Sequence, residues 1–158
     1  MAVLALKTTQ LGDDYRKRPT EDHGKLRIQA FSLPAVAVAG DANSTIDLCE
    51  LPPGAVRILP SLSRLYTTAF GAGRTLDVGF RAYTKKDDGT QEVEDLDALI
   101  DGLDVSGAVN AAPFGTNLAT LWKYDVYSKA GVVVTAQVLG GTIPVNATMN
   151  GYIVYVYE

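Results

Sequence analysis

From Lys25 onward the chain alternates short runs rich in Val, Ile, Thr and aromatic residues with Gly, Pro, Asp and Asn punctuation, the signature of strands joined by turns. Leu26, Ile28 and Ala30 fall on one face of a first strand that stops before Pro34. In Ser44 to Leu51, Ile46 and Leu48 share a face and Cys49 falls on the other, and Pro52-Pro53-Gly54 then forces a turn. Val56 and Ile58 alternate with Arg57, and SLSRLYTTAF resumes after Pro60 as a bent or second strand. The clearest alternation is TLDVGFRAYT, with Leu76, Val78, Phe80 and Ala82 opposite Asp77, Gly79, Arg81 and Tyr83; Asp87-Asp88-Gly89 then turns the chain. LWKYDVYS, VVVTAQVL and TMNGYIVYVY complete the set. One segment departs from period two. Val93, Leu96, Leu99/Ile100 and Leu103 recur at helical spacing after Thr90, with Gly102 as a stop, and predict a short amphipathic helix.

Seven or eight strands and one helix predict an all-β fold, a two-sheet β-sandwich with jelly-roll-like order. Residues 1–24 lack either apolar period and are interrupted by Gly12, Pro19 and Gly24, so they read as an extended N-terminal arm beside a sandwich domain at 25–158. A chain of 158 residues suits one hydrophobic core, and 47% hydrophobic residues with 20% charged exclude a disordered polymer.

Charge narrows the partners. Eighteen acids against fourteen bases give −4, so long-range attraction to nucleic acid or an anionic membrane is not expected. Residues 1–27 hold six bases against four acids, a net of +2, so the remaining 131 residues carry −6. The single cysteine excludes an internal disulfide, and one His with one Cys excludes His-rich or thiolate-rich zinc sites within a chain. No apolar run reaches the length of a membrane helix, and MAVLALK is too short for a signal-peptide core; a soluble, unexported protein is the expectation.

Few motifs carry chemistry. Between Asp87 and Asp104 stand eight acids and no base, but DDGTQEVEDLD lacks the ligand spacing of a calcium loop and reads as a solvated face. Gly71-Ala72-Gly73-Arg74 lacks the ending of a phosphate loop and leads into a strand, so it reads as a hairpin turn. His23 reads as an arm residue and Cys49 as packing; neither is assigned to catalysis. Asn43-Ser44-Thr45 and Asn146-Ala147-Thr148 match the glycosylation triplet, which is idle without a secretory signal. Tyr15 with Arg16, Lys17 and Arg18 forms a basic contact patch in the arm. Trp122, Tyr124, Tyr127, Tyr155 and Tyr157 gather near the C-terminus, and GYIVYVYE has no polar face, because Tyr152, Val154 and Val156 alternate with Ile153, Tyr155 and Tyr157. Such a strand is either buried on both faces or meets another subunit.

The order LPPGAVRIL at 51–59, TLDVGFRAY at 75–83 followed by DDG, DALIDGLDVSGA, and the closing VVVTAQVLGGTIPVNATMNGYIVYVY resembles that of small head decoration, or cement, proteins of tailed bacteriophages. The resemblance implies a non-enzymatic β-sandwich on the virion capsid surface, binding the major capsid protein and forming a homotrimer, with no cofactor and no small-molecule substrate. The arm patch would then touch the capsid and the aromatic group would form the subunit interface. Two other readings remain open: a tail or baseplate adaptor, and a carbohydrate-binding sandwich whose exposed aromatic residues stack on sugar rings.

Overall fold

A computed structural model describes residues 5–7, 26–115 and 123–157. Among the described residues thirteen strands follow one another: β1 (Ala5–Lys7), β2 (Leu26–Leu33), β3 (Thr45–Leu51), β4 (Gly54–Ile58), β5 (Arg64–Thr67), β6 (Thr75–Phe80), β7 (Tyr83–Thr84), β8 (Gln91–Glu92), β9 (Asp95–Asp104), β10 (Val109–Pro113), β11 (Tyr124–Ser128), β12 (Val132–Leu139) and β13 (Met149–Tyr157). One sheet, A, runs β1-β3-β12-β6-β9. The other, B, contains β10, β5, β13, β4, β11 and β2, while β7 and β8 make a separate hairpin. All pairings are antiparallel except that of β1 with β3, which draws part of the expected arm into a ladder. The chain passes from B to A and back repeatedly, so the all-β sandwich expected from the strand pattern is the fold.

β13 organises sheet B. Along one edge it pairs with all eight residues of β2, from Leu33 opposite Met149 to Leu26 opposite Val156. Along the other it pairs first with β5 and then with β4. Those two strands are one strand interrupted by a 3-10 turn at Pro60–Leu62, as the bent strand predicted after Pro60 requires. The ladder survives the interruption because a side chain substitutes for backbone: the Val154 N–H donates to Ser63 Oγ at 2.9 Å, and that hydroxyl donates to the Leu59 carbonyl at 3.0 Å. Ser63 is fully buried, so water cannot take its place.

The predicted helix is a strand. Its apparent helical period comes from irregular pairing of β9 with β6, where Leu103 lies opposite Leu76 and Ile100 opposite Val78. Between those rungs β9 advances one residue more than β6, and the surplus is taken up at Asp101-Gly102, with Gly102 at φ +68°. The bulge turns Ile100 and Leu103 inward at a spacing of three. A second irregularity follows, where β9 presses onto Gly79: a Cβ there would stand 2.0 Å from the Asp95 carbonyl oxygen. The Asp77 carboxylate accepts from the Gly102 N–H at 2.7 Å and thereby satisfies the bulge.

A bulge also reverses one side-chain assignment in β3. The register shifts between Val134 and Thr135, so Cys49 pairs with Val134 while Ile46 pairs with Ala136. Cys49 therefore joins Ile46 in the core instead of opposing it, and it is wholly buried. The interior is closed by Leu48, Leu76, Val78, Phe80, Ile100 and Val134 from sheet A, with Phe31, Ile58, Leu65, Val126 and Ile153 from sheet B. Phe70 and Phe114 are also fully enclosed.

Two substitutions and a control test these joints. Gly79→Ala should lower unfolding stability by about 2–3 kcal/mol, because the added carbon meets backbone that cannot swing away. Gly107→Ala, with open space around it, should leave the urea midpoint unchanged. Ser63→Ala strands the buried Val154 N–H and should cost about 1–3 kcal/mol in the same measurement.

Candidate assembly surface

The register of sheet B sets out its outer face in rows. Leu26, Val156, Arg57 and Asp125 stand side by side on four adjacent strands. Ile28 and Val154 form the next row, Ala30, Tyr152 and Arg64 another, and Ser32, Asn150 and Tyr66 the last. Leu26 and Ile28 thus share a face, as expected, but it is the solvent face, where they are 57% and 65% exposed. The inward positions of β2 are Phe31 and Leu33. The face grades from apolar at Leu26 and Ile28 to polar at the far end, where the Ser32 hydroxyl donates to Asn150 Oδ1 at 2.6 Å.

Bases rim the apolar end. Arg57 Nε reaches Asp125 at 2.8 Å and Lys123 Nζ reaches the same carboxylate at 2.9 Å, so two cations share one anion. Partial burial opposes ionisation of Asp125, but the hydrogen bonds from Lys123 and Arg57 outweigh it and hold the carboxyl below its usual range. Arg64 adds a third base, which donates to the carbonyls of Ser61 and Ser63.

The aromatic group divides. Tyr155 is a core residue, 6% exposed, so burial within its own chain accounts for it and its ring is not presented to a neighbour. Tyr124 and Tyr157 are half-buried against the same core. The Tyr124 ring lies 5.0 Å from that of Phe80, and burial raises its hydroxyl's pKa, with Asp95 adding to the shift. The Arg27 guanidinium stands 5.6 Å from the Tyr157 ring centre. Tyr127 faces solvent beside Lys86. Trp122, His23 and the patch Tyr15, Arg16, Lys17 and Arg18 lie outside the described residues. The outward group that the sequence reading passed over is Leu26, Ile28, Tyr66 and Tyr152, and only the register of β2, β5 and β13 brings it together.

The acids collect around sheet A. Arg81 gathers part of them: its Nε meets Asp47 at 2.9 Å, one terminal nitrogen meets Glu94 at 2.6 Å and the other donates to the Thr45 hydroxyl. Burial works against the guanidinium charge, but the hydrogen bonds to Glu94 and Asp47 outweigh it and raise its pKa. Lys85 pairs with Glu92 across the β7–β8 hairpin. The Asp88 carboxyl is held low by the Thr90 hydroxyl and N–H. Burial raises the Asp95 carboxyl and neighbouring Asp97 adds to it. Among the described residues no three His, Cys, Asp or Glu side chains are grouped to hold a metal ion. No helix of the described residues is long and apolar enough to cross a membrane.

No protein-family model and no curated protein matches the sequence. Two solved structures match along almost its whole length. A chain of the capsid of Ralstonia phage GP4 superposes with a TM-score of 0.67 at 20% identity, covering 98% of each chain. A chain of the cyanophage Pam1 capsid asymmetric unit gives 0.55 at 16% identity, covering 93% of this chain and 95% of that one. The fold is shared with phage capsid chains. Because coverage is nearly complete in both directions, the likeness extends to the whole sandwich rather than one sheet.

Asp77 supplies a pH test. Burial raises its carboxyl above 3.8, Asp101 and Asp97 add to the rise, and the Gly102 N–H opposes it. The folded state therefore holds this proton more tightly than the unfolded state, so the Asp77 contribution is greatest in acid and is lost as pH rises from 3.8 through the folded value. Asp77→Asn keeps an oxygen for the Gly102 N–H and has no charge to bury. In urea unfolding across that window, its stability relative to the parent should rise with pH and then level off; a gap that narrows would contradict the assignment.

Proposed function

We propose that this protein is a structural component of a bacteriophage virion, a decoration protein that binds the capsid exterior and stabilises contacts between major capsid protein subunits. The observation that carries the reading is the end-to-end likeness to chains from two phage capsids. The surface supports it. Outward Leu26, Ile28, Tyr66 and Tyr127 offer contact area on a rigid sheet, the kind of surface that binds another protein. Decoration needs only modest contacts, because symmetry repeats each one over the shell and a multimer, here a homotrimer, multiplies them.

In this reading the basic patch Tyr15, Arg16, Lys17 and Arg18 contacts the coat subunits, and outward Tyr127 contributes to contacts between copies. The purified protein should co-sediment with empty heads that lack it and raise the temperature at which they open. Failure to bind heads, or migration with tails instead, would overturn the capsid reading in favour of an adaptor. Replacing Arg16, Lys17 and Arg18 together by Glu should lower head occupancy about tenfold or more while leaving the thermal melt of the free protein unchanged. Equal occupancy would remove the arm from the contact.

A further inference from the structure

The stretch Gly71-Ala72-Gly73-Arg74 is no hairpin turn; it carries the chain from β5 in sheet B to β6 in sheet A. Three other connections, 34–44, 105–108 and 140–148, meet the 68–74 connection at the same end of the sandwich. Backbone hydrogen bonds fasten them: Phe70 N–H donates to Val105 at 2.8 Å, Thr68 to Thr148 at 3.1 Å, Val36 to Ala147 at 3.0 Å and Asn43 to Val138 at 2.9 Å. Together these four stretches hold one base, Arg74, and one acid, Asp41, among residues that are mostly Ala, Gly, Val, Pro, Ser and Thr. At the opposite end the 81–94 connection alone holds three bases and four acids.

Arg74 has no carboxylate to answer it. Its side chain donates from one terminal nitrogen to the Thr142 hydroxyl at 3.1 Å, and its buried Nε has no acceptor among the described residues. Asp104 flanks this end but turns its carboxylate to the Ser106 N–H at 2.8 Å. Two glycines set the guanidinium in place. A Cβ on Gly71 would collide with a terminal nitrogen of Arg74, and one on Gly141 would stand 2.8 Å from Nε. The residue is partly exposed, so a fixed cation is presented at a surface that is otherwise almost uncharged. Beside it lie Val38 and Val145, 67% and 49% exposed, on facing stretches held by Gly40 to Ile143 at 3.1 Å and Asn146 to Val36 at 2.8 Å.

We propose that this end of the sandwich is a docking face in which Arg74 takes a carboxylate side chain of the coat subunit, with Val38 and Val145 against apolar residues around that acid. The inference rests on the capsid reading and names the group that the coat must offer. Charge complementarity selects it. A carboxylate carries one charge and matches one guanidinium fork, whereas binding to a polyanion grows with the number of phosphates neutralised and one base is too few. Because the glycines already hold the guanidinium, little side-chain freedom is lost on binding, and the flanking valines keep water from the pair.

Two measurements test the site. In sedimentation with empty heads, Arg74→Gln should lower occupancy about tenfold or more, as loss of one member of a shielded charge pair does. Arg74→Lys, which keeps the charge without the fork, and Gly141→Ala, which keeps the arginine but displaces it, should each fall between Arg74→Gln and the parent. Lys129→Gln removes the same charge from the opposite end and should bind as the parent does. Heads that bind the parent and the Arg74 variants equally would overturn the docking face and leave the capsid reading standing. The second measurement needs no heads. In nitrogen-15 spectra of the free protein, the Arg74 Nε–H signal, identified by its loss in Arg74→Lys, should move saturably with sodium acetate and stay fixed in sodium chloride of equal ionic strength. A signal that ignores acetate, or that answers only inorganic phosphate, would overturn the carboxylate site. A parent that shows the acetate shift but ignores heads defeats the coat subunit as the source of the acid, and with it the capsid reading, while the carboxylate site stands.

Discussion

Two sheets can share an interior only if every strand turns its apolar residues to the same side, and a strand has one means of doing so, strict alternation. A slip of one residue exchanges the two faces. This chain meets the constraint by inserting extra residues where alternation alone would fail. The shift between Val134 and Thr135 brings Cys49 into line with Ile46, and the Asp101-Gly102 bulge brings Leu103 into line with Ile100. The turn at Pro60–Leu62 lets β4 and β5 follow one edge of β13 although more residues separate them than a continuous strand would use. Each insertion leaves polar groups that need partners, and the Asp77 carboxylate and Ser63 hydroxyl supply them. Packing of the core thus rests on a few polar contacts at the places where the ladders are irregular.

The same devices mark what could be read in advance. Strands with unbroken alternation, such as TLDVGF, were legible because period two is a direct image of the pleat. The stretch from Asp95 to Asp104 was not, because its bulges give inward residues at spacings of three and four that imitate a helix turn. Gly79 and Gly102 were the available clues: one admits a crossing backbone and the other supplies the left-handed residue of a bulge. The direction of a face was also hidden. Leu26, Ile28 and Ala30 alternate as cleanly as any core strand, and only pairing with β13 shows that Phe31 and Leu33 hold the interior.

The prospective assembly surface was legible only in part. The acidic run was plain from sequence, as was the tyrosine-rich C-terminus, but the apolar and basic face is assembled from β2, β4, β11 and β13, which are distant in the chain. The tyrosines themselves sort by parity: Tyr155 and Tyr157 belong to the core side, while Tyr152 belongs to the outer side beside Ala30. A strand with no polar face is here a central strand, covered on one side by the opposite sheet and bordered on the other by Arg57 and Arg64.

The position of β13 also orders events during synthesis. β2, β4 and β5 all take it as their ladder partner, yet Leu33 emerges from the ribosome long before Met149. Until Met149–Tyr157 have been made, half of the sandwich has edges but no centre, with the inward Phe31 and Leu33 bare. Loop-closure entropy over that span makes the last pairing slow, so the interval before it is when the protein is most open to wrong partners and to chaperones.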